Sequence, residues 1–192
     1  MLDQYLISGV VNVFSVNDLV VYPAQGVGKI EKIESQEIGG CQTNLYIIRI
    51  LNNNVMVMVP VHNAANVGLR ALCTSEQGEA MLVYIRDRSD FTGYTGQNWN
   101  RRYREYSEKL KSENLRDVAY VLKELILIGK DKELSFGERR LLEQALHLIT
   151  TELAFCLDST PSDIRTKIYS FFEDILKPVE ESGTVEPKQD EK

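Results

Sequence analysis

Two hydrophobic periods divide this chain. Up to about residue 60 apolar positions come in short β-branched runs broken by turn residues, and from Thr74 onward they recur at helical spacing. The run 18–22 ends at Pro23, and the stretch 23–28 (PAQGVG) carries the turn chemistry to reverse the chain. A second strand is expected over 29–35. Its Ile30 and Ile33 are three apart, so strict alternation fails and a bulge is predicted. Gly39-Gly40 marks a turn. The runs 45–51 and 55–59 are joined by three asparagines, Asn52 to Asn54, which tolerate positive φ in a hairpin loop, and Pro60 stops the second run. Four or five short strands in so little chain predict a small, strongly bent antiparallel sheet of SH3/Tudor type.

The remainder predicts five helices. Thr74-x-x-Gln77 opens one that runs to about Arg86, and residues 87–98 form a loop. Asn98 caps the next, 99–111, and Asn114 caps a third with Leu115, Val118, Ala119, Leu122, Leu125 and Ile126 on one face. Ser135-x-x-Glu138 is a capping box before a long fourth helix. Thr160-Pro161 opens the fifth, with Ile164, Ile168, Phe171, Phe172 and Ile175 inward. The expected architecture is two-domain, β then α: the bent sheet at 13–70, then a compact five-helix bundle at 74–177. Residues 1–12 form an N-terminal extension. Residues 178–192 carry five acidic side chains, two lysines and no aromatic, and are expected to be a disordered acidic tail.

Composition narrows the functional classes. A net charge of -6 and a pI near 5.1 argue against a histone-like coating of DNA, because the whole-molecule field repels phosphate. The three cysteines are widely scattered and the two histidines isolated, so neither a disulfide framework nor a zinc site is expected, and no cofactor is implied. No P-loop spacing, GxSxG or HExxH appears, so no catalytic constellation supports an enzyme. Glu124, Glu133, Glu138 and Glu143 read as solvated helix faces. The N-terminus lacks a basic lead-in to its apolar stretch and no run approaches a membrane span, so a cytoplasmic protein is expected.

One stretch stands against the acidic balance: Asn98-Trp99-Asn100-Arg101-Arg102-Tyr103-Arg104, with the chain's one tryptophan beside three arginines. Two readings are open. Trp99, Tyr103, Tyr106 and Leu110 fall on one helical stripe, as in any amphipathic helix. Alternatively, an aromatic ring in the first turn after a capping Asn98, flanked by guanidinium groups, suits stacking on or wedging between bases while the arginines hold phosphates.

The motifs taken together resemble a known family. Asp18-Leu-Val-Val-Tyr-Pro-x-x-Gly26, then Val59-Pro60 and Asn63-Ala-x-x-Val67-Gly68-x-Arg70, resemble the RNA-polymerase-interacting domain of the CarD family. Asn98-Trp-Asn-Arg-Arg-Tyr103 and Leu134-Ser-x-Gly-Glu-Arg-Arg140 resemble signatures of that family's helical domain, nearest the CdnL-type members. The resemblance implies a non-enzymatic transcription regulator. Its Tudor-like module would dock on the β subunit of bacterial RNA polymerase by strand pairing, and its helical domain would contact promoter DNA at the upstream edge of the open bubble. It implies a wedge role for Trp99, phosphate contacts for Arg101, Arg102, Arg104 and Arg139, and polymerase-facing positions at Gln36, Ile38, Val57, Met58 and Pro60. Some members carry arginine where this chain has Gln36 and Met58, so the docking surface here is expected to be less basic and more apolar. A monomer without membrane association is implied. The rival classes are a sequence-specific repressor, which would want a recognition helix, and a protein-only adaptor whose helices merely scaffold.

Overall fold

The computed structural model describes residues 14–89 and 98–174. The N-terminal extension, most of the loop after the first helix, Ile175 and the acidic tail lie outside the described residues.

Five strands form one antiparallel sheet: β1 (Leu19–Tyr22), β2 (Gly26–Ile38), β3 (Cys41–Ile50), β4 (Met56–Pro60) and β5 (Arg70–Ala71), in the order β4-β3-β2-β1-β5. The expected bulge is present. Register shifts between Ile30 and Lys32, so Ile30 sits wholly in the core and Ile33, three residues on, packs against the same core. Val20, Tyr46, Ile48, Ile50 and Val59 complete that core. Asn54, at φ 56°, closes the β3–β4 loop as its residue type allows. The short β5 was not expected; it lies in the stretch between the modules and pairs only Val20 with Ala71 and Val21 with Arg70.

The five helices follow: α1 (Ser75–Arg86), α2 (Trp99–Lys109), α3 (Leu115–Asp131), α4 (Phe136–Cys156) and α5 (Pro161–Ser170). Each begins at a side-chain cap. Thr74 and Ser135 form full capping boxes with Gln77 and Glu138, and Asn98, Asn114 and Thr160 each accept from a first-turn amide. The apolar faces of α3 and α4 meet at the centre, where Ala119, Leu122, Leu125, Ala145, Leu146, Ile149 and Leu153 are fully buried. Tyr106 of α2 is buried too, and its hydroxyl donates to Glu124 Oε2 at 2.7 Å, tying α2 to α3.

An ionic clamp joins sheet to bundle. Arg70 on β5 donates from both terminal nitrogens to the two oxygens of Glu152 on α4, at 2.6 and 2.8 Å. Glu152 is 2% exposed and also accepts from the Cys73 amide at 3.1 Å. The chain reaches this point through Gly68, at φ 73°, where an added Cβ would lie 2.9 Å from the Pro23 ring. The glycine, the proline and the arginine of the N-terminal signature therefore serve one connection. Below it Cys73 Sγ lies 3.0 Å from Cys156 Sγ, a thiol pair that the scattered cysteines gave no reason to expect.

Candidate functional site

Asn98 accepts from the Asn100 amide at 2.9 Å and starts α2, which puts Trp99 at the first helical position. The indole does not project freely. It leans on the first turn of α4, where Gly137 leaves room for it: an added Cβ there would lie 2.7 Å from Trp99 Cζ2. Any larger residue at 137 would displace the ring. The Tyr103 ring stands 5.5 Å away at 56°, and the Arg102 guanidinium carbon lies 5.8 Å from the indole centroid. Trp99 is thus partly buried, neither core nor free side chain.

Arg102 corrects the sequence reading. It is 6% exposed and donates to Glu138 Oε1 at 2.7 Å, so its guanidinium is turned inward and is not offered to a phosphate. Glu138 corrects it as well, being 1% exposed where a solvated face was expected. Its carboxylate accepts from Lys132 Nζ at 2.9 and 3.0 Å and from the Ser135 amide at 2.9 Å. Burial alone would raise its pKa, but the hydrogen bonds from Lys132 and Ser135 outweigh that and hold the carboxyl below its ordinary value. The Asn-Trp-Asn-Arg-Arg and Leu-Ser-x-Gly-Glu signatures therefore build one object. Glycine seats the ring, and glutamate anchors the arginine beneath it.

The remaining cations face outward. Arg101 and Arg104 are exposed along a shallow concavity with Asn98 and Asn100, and Glu105 and Glu108 share that surface. Arg139 is exposed and pairs with Glu133 at 3.0 Å, a solvated contact of little energy. Two exposed neighbours escaped the sequence reading: Arg140, and Phe136, which is 79% exposed at the first position of α4. Phe136 was legible only as the variable position of its motif.

The second candidate surface is the sheet edge. β4 pairs with β3 alone, so its other edge carries backbone groups without a strand partner among the described residues. Alternation and register put Gln36, Ile38, Met58 and Pro60 on one face, with Ile38 51% and Met58 63% exposed. Val57 is on the opposite face, partly buried against the sheet core.

Comparison with known proteins agrees with this two-part architecture. The family model described as CarD-like/TRCF RID domain matches residues 14–73, and the model for the CarD C-terminal domain matches residues 88–169. The chain belongs to the CarD family of transcription regulators. It is similar to YdeB of Bacillus subtilis, 26% identical over 153 residues that make up 80% of this chain and 98% of YdeB. Among solved structures it is similar to CdnLNt from Myxococcus xanthus, 41% identical over 30% of this chain and 82% of that one, with a TM-score of 0.27. Among the described residues no helix is long and apolar enough to cross a membrane, and no group of side chains could hold a metal ion.

Proposed function

We propose that this protein binds the β subunit of bacterial RNA polymerase through its sheet and lengthens the life of the promoter open complex by contacting DNA at the upstream edge of the bubble. The observation that carries the reading is the seat of Trp99. An indole held at a helix start against Gly137, with exposed Arg101 and Arg104 beside it, is pre-positioned to stack at a fork and to meet phosphates on either side. In this reading Arg101, Arg104 and Arg139 contact phosphate, whereas Arg102 positions the ring through Glu138. Family membership supports the assignment to transcription, and the available β4 edge supports docking by strand addition.

The acidic net charge fits such a role. A protein at -6 is a poor free DNA binder, but docking on polymerase supplies a high effective concentration to a small basic patch. The contact reads the form of the fork rather than base sequence. Co-purification with polymerase, followed by open-complex lifetime, tests both halves. Met58→Glu should weaken polymerase capture without unfolding the exposed strand edge, and Trp99→Ala should shorten the lifetime while capture persists. Undiminished capture by Met58→Glu removes that face from the docking surface.

A further inference from the structure

The ring seated on Gly137 has an exposed aromatic neighbour. Phe136 and Tyr103, 79% and 47% exposed, line one shallow cleft between α2 and the start of α4. Leu110 and Leu141 line it as well, and the cations Lys111 and Arg140 complete it. An exposed phenylalanine is unremarkable singly, but here two aromatic side chains and two cations line one concavity. Aromatic faces with adjacent positive charge match an unpaired nucleobase and its phosphate.

Resting on the promoter-contact reading above, we propose that the Tyr103–Phe136 cleft receives an unpaired base of the promoter strand opened beside Trp99. Phe136 supplies the stacking face, and Lys111 and Arg140 hold the flanking phosphate. Trp99, half-buried against Gly137, then acts as the wedge, while the freer Phe136 catches the base that the wedge displaces.

The test measures open-complex lifetime with polymerase, promoter DNA and the full chain carrying Phe136→Ala, Phe136→Leu, Phe136→Tyr or Trp99→Ala. Phe136→Ala and Phe136→Leu should each shorten the lifetime by at least about fivefold, and Phe136→Tyr should retain it, since one stacked base is worth that much or more. The melting temperature should stay at the wild-type value in all three, because the side chain is almost wholly exposed. Unchanged lifetime with Phe136→Ala, or full lifetime with Phe136→Leu, overturns the stacking role if Trp99→Ala still shortens it. If Trp99→Ala also leaves the lifetime unchanged, the promoter-contact reading itself fails. A concentration-dependent dimer lost in Phe136→Ala, with lifetime intact, would instead assign the cleft to a second copy of the chain.

A second observation stands independently. Cys73, in the connection entering α1, and Cys156, the last residue of α4, bring their sulfurs to 3.0 Å beside the Arg70–Glu152 clamp. We infer that this pair forms a reversible covalent lock between the connection and the bundle under a two-electron oxidant. The two thiols give up two electrons and two protons to a diazene such as diamide, which becomes the hydrazine, and one S–S bond forms. Burial raises both thiol pKa values, so mild oxidants should act slowly. Native protein treated with diamide and mapped by mass should yield a Cys73–Cys156 peptide short of two hydrogens, with a higher melting temperature that dithiothreitol reverses. Full alkylation of both cysteines after treatment, or pairing of either with the exposed Cys41, overturns the lock.

Discussion

Arg102 and Glu138 meet at 2.7 Å with both side chains buried, and the indole of Trp99 rests against the structure they hold together. The pair is a strut. Arg102 is one of two cationic partners of Glu138, and Lys132 remains when it is removed, so the loss is smaller than that of a stranded buried charge, about 3–5 kcal/mol. Arg102→Ala should therefore lower unfolding free energy by less than that amount and should move Trp99. Trp99 is the chain's one tryptophan, so its emission reports the site directly. Denaturant unfolding that left Arg102→Ala at wild-type stability would show that the pair holds nothing.

Acid should attack the same strut. Glu138 is held below the ordinary carboxyl range, so the folded state binds its proton less readily than the unfolded chain. Its contribution is complete above the unfolded value, about 4.3, and is lost as pH falls through the lower folded value. Glu138→Gln should be less stable than wild type at neutral pH, and the gap should narrow as pH drops below about 4. A gap constant from neutral to strongly acidic pH would mean that the carboxylate charge contributes nothing.

Much of the architecture was legible because local signals agreed. Caps at Thr74, Asn98, Asn114, Ser135 and Thr160 fixed all five helix starts, and the failed alternation at Ile30 and Ile33 located the bulge. The partnerships were not legible. Glu138 reads as a surface carboxylate by spacing, and only the approach of α2 to α4 buries it against Arg102. Arg70 and Glu152 are 82 residues apart, and Cys73 and Cys156 are 83 apart; no periodicity within either segment reports such a contact. Phe136 was overlooked because it stands at the variable position of its motif, and no spacing signal reports its exposure at the start of α4.

Gly137→Ala offers a finer perturbation of the ring. A Cβ 2.7 Å from Trp99 Cζ2 cannot coexist with the seated indole, so the ring must swing outward. The tryptophan emission should shift to the red, while helix propensity at 137 improves by up to about 1 kcal/mol and offsets part of the lost packing. An unchanged emission maximum would show that Trp99 does not rest on Gly137.

The Arg70–Glu152 clamp predicts that sheet and bundle unfold together. Arg70→Ala leaves Glu152 buried with the Cys73 amide as the donor from that connection, and should separate the transitions. Tryptophan emission follows the bundle, and backbone circular dichroism follows both modules. Coincident transitions in Arg70→Ala would contradict the clamp as the main coupling.

The central claim rests on Trp99, and open-complex lifetime with Trp99→Ala tests it most directly. Loss of one stacked ring is worth about 1–3 kcal/mol, which shortens lifetime by roughly five- to a hundredfold if it acts fully on bubble closure. Thermal unfolding and polymerase capture are measured on the same sample. The account predicts a short-lived open complex, wild-type capture, and a melting temperature only modestly lowered, because the ring is partly buried. Wild-type lifetime, or a lifetime loss matched by collapse of the fold, would contradict it.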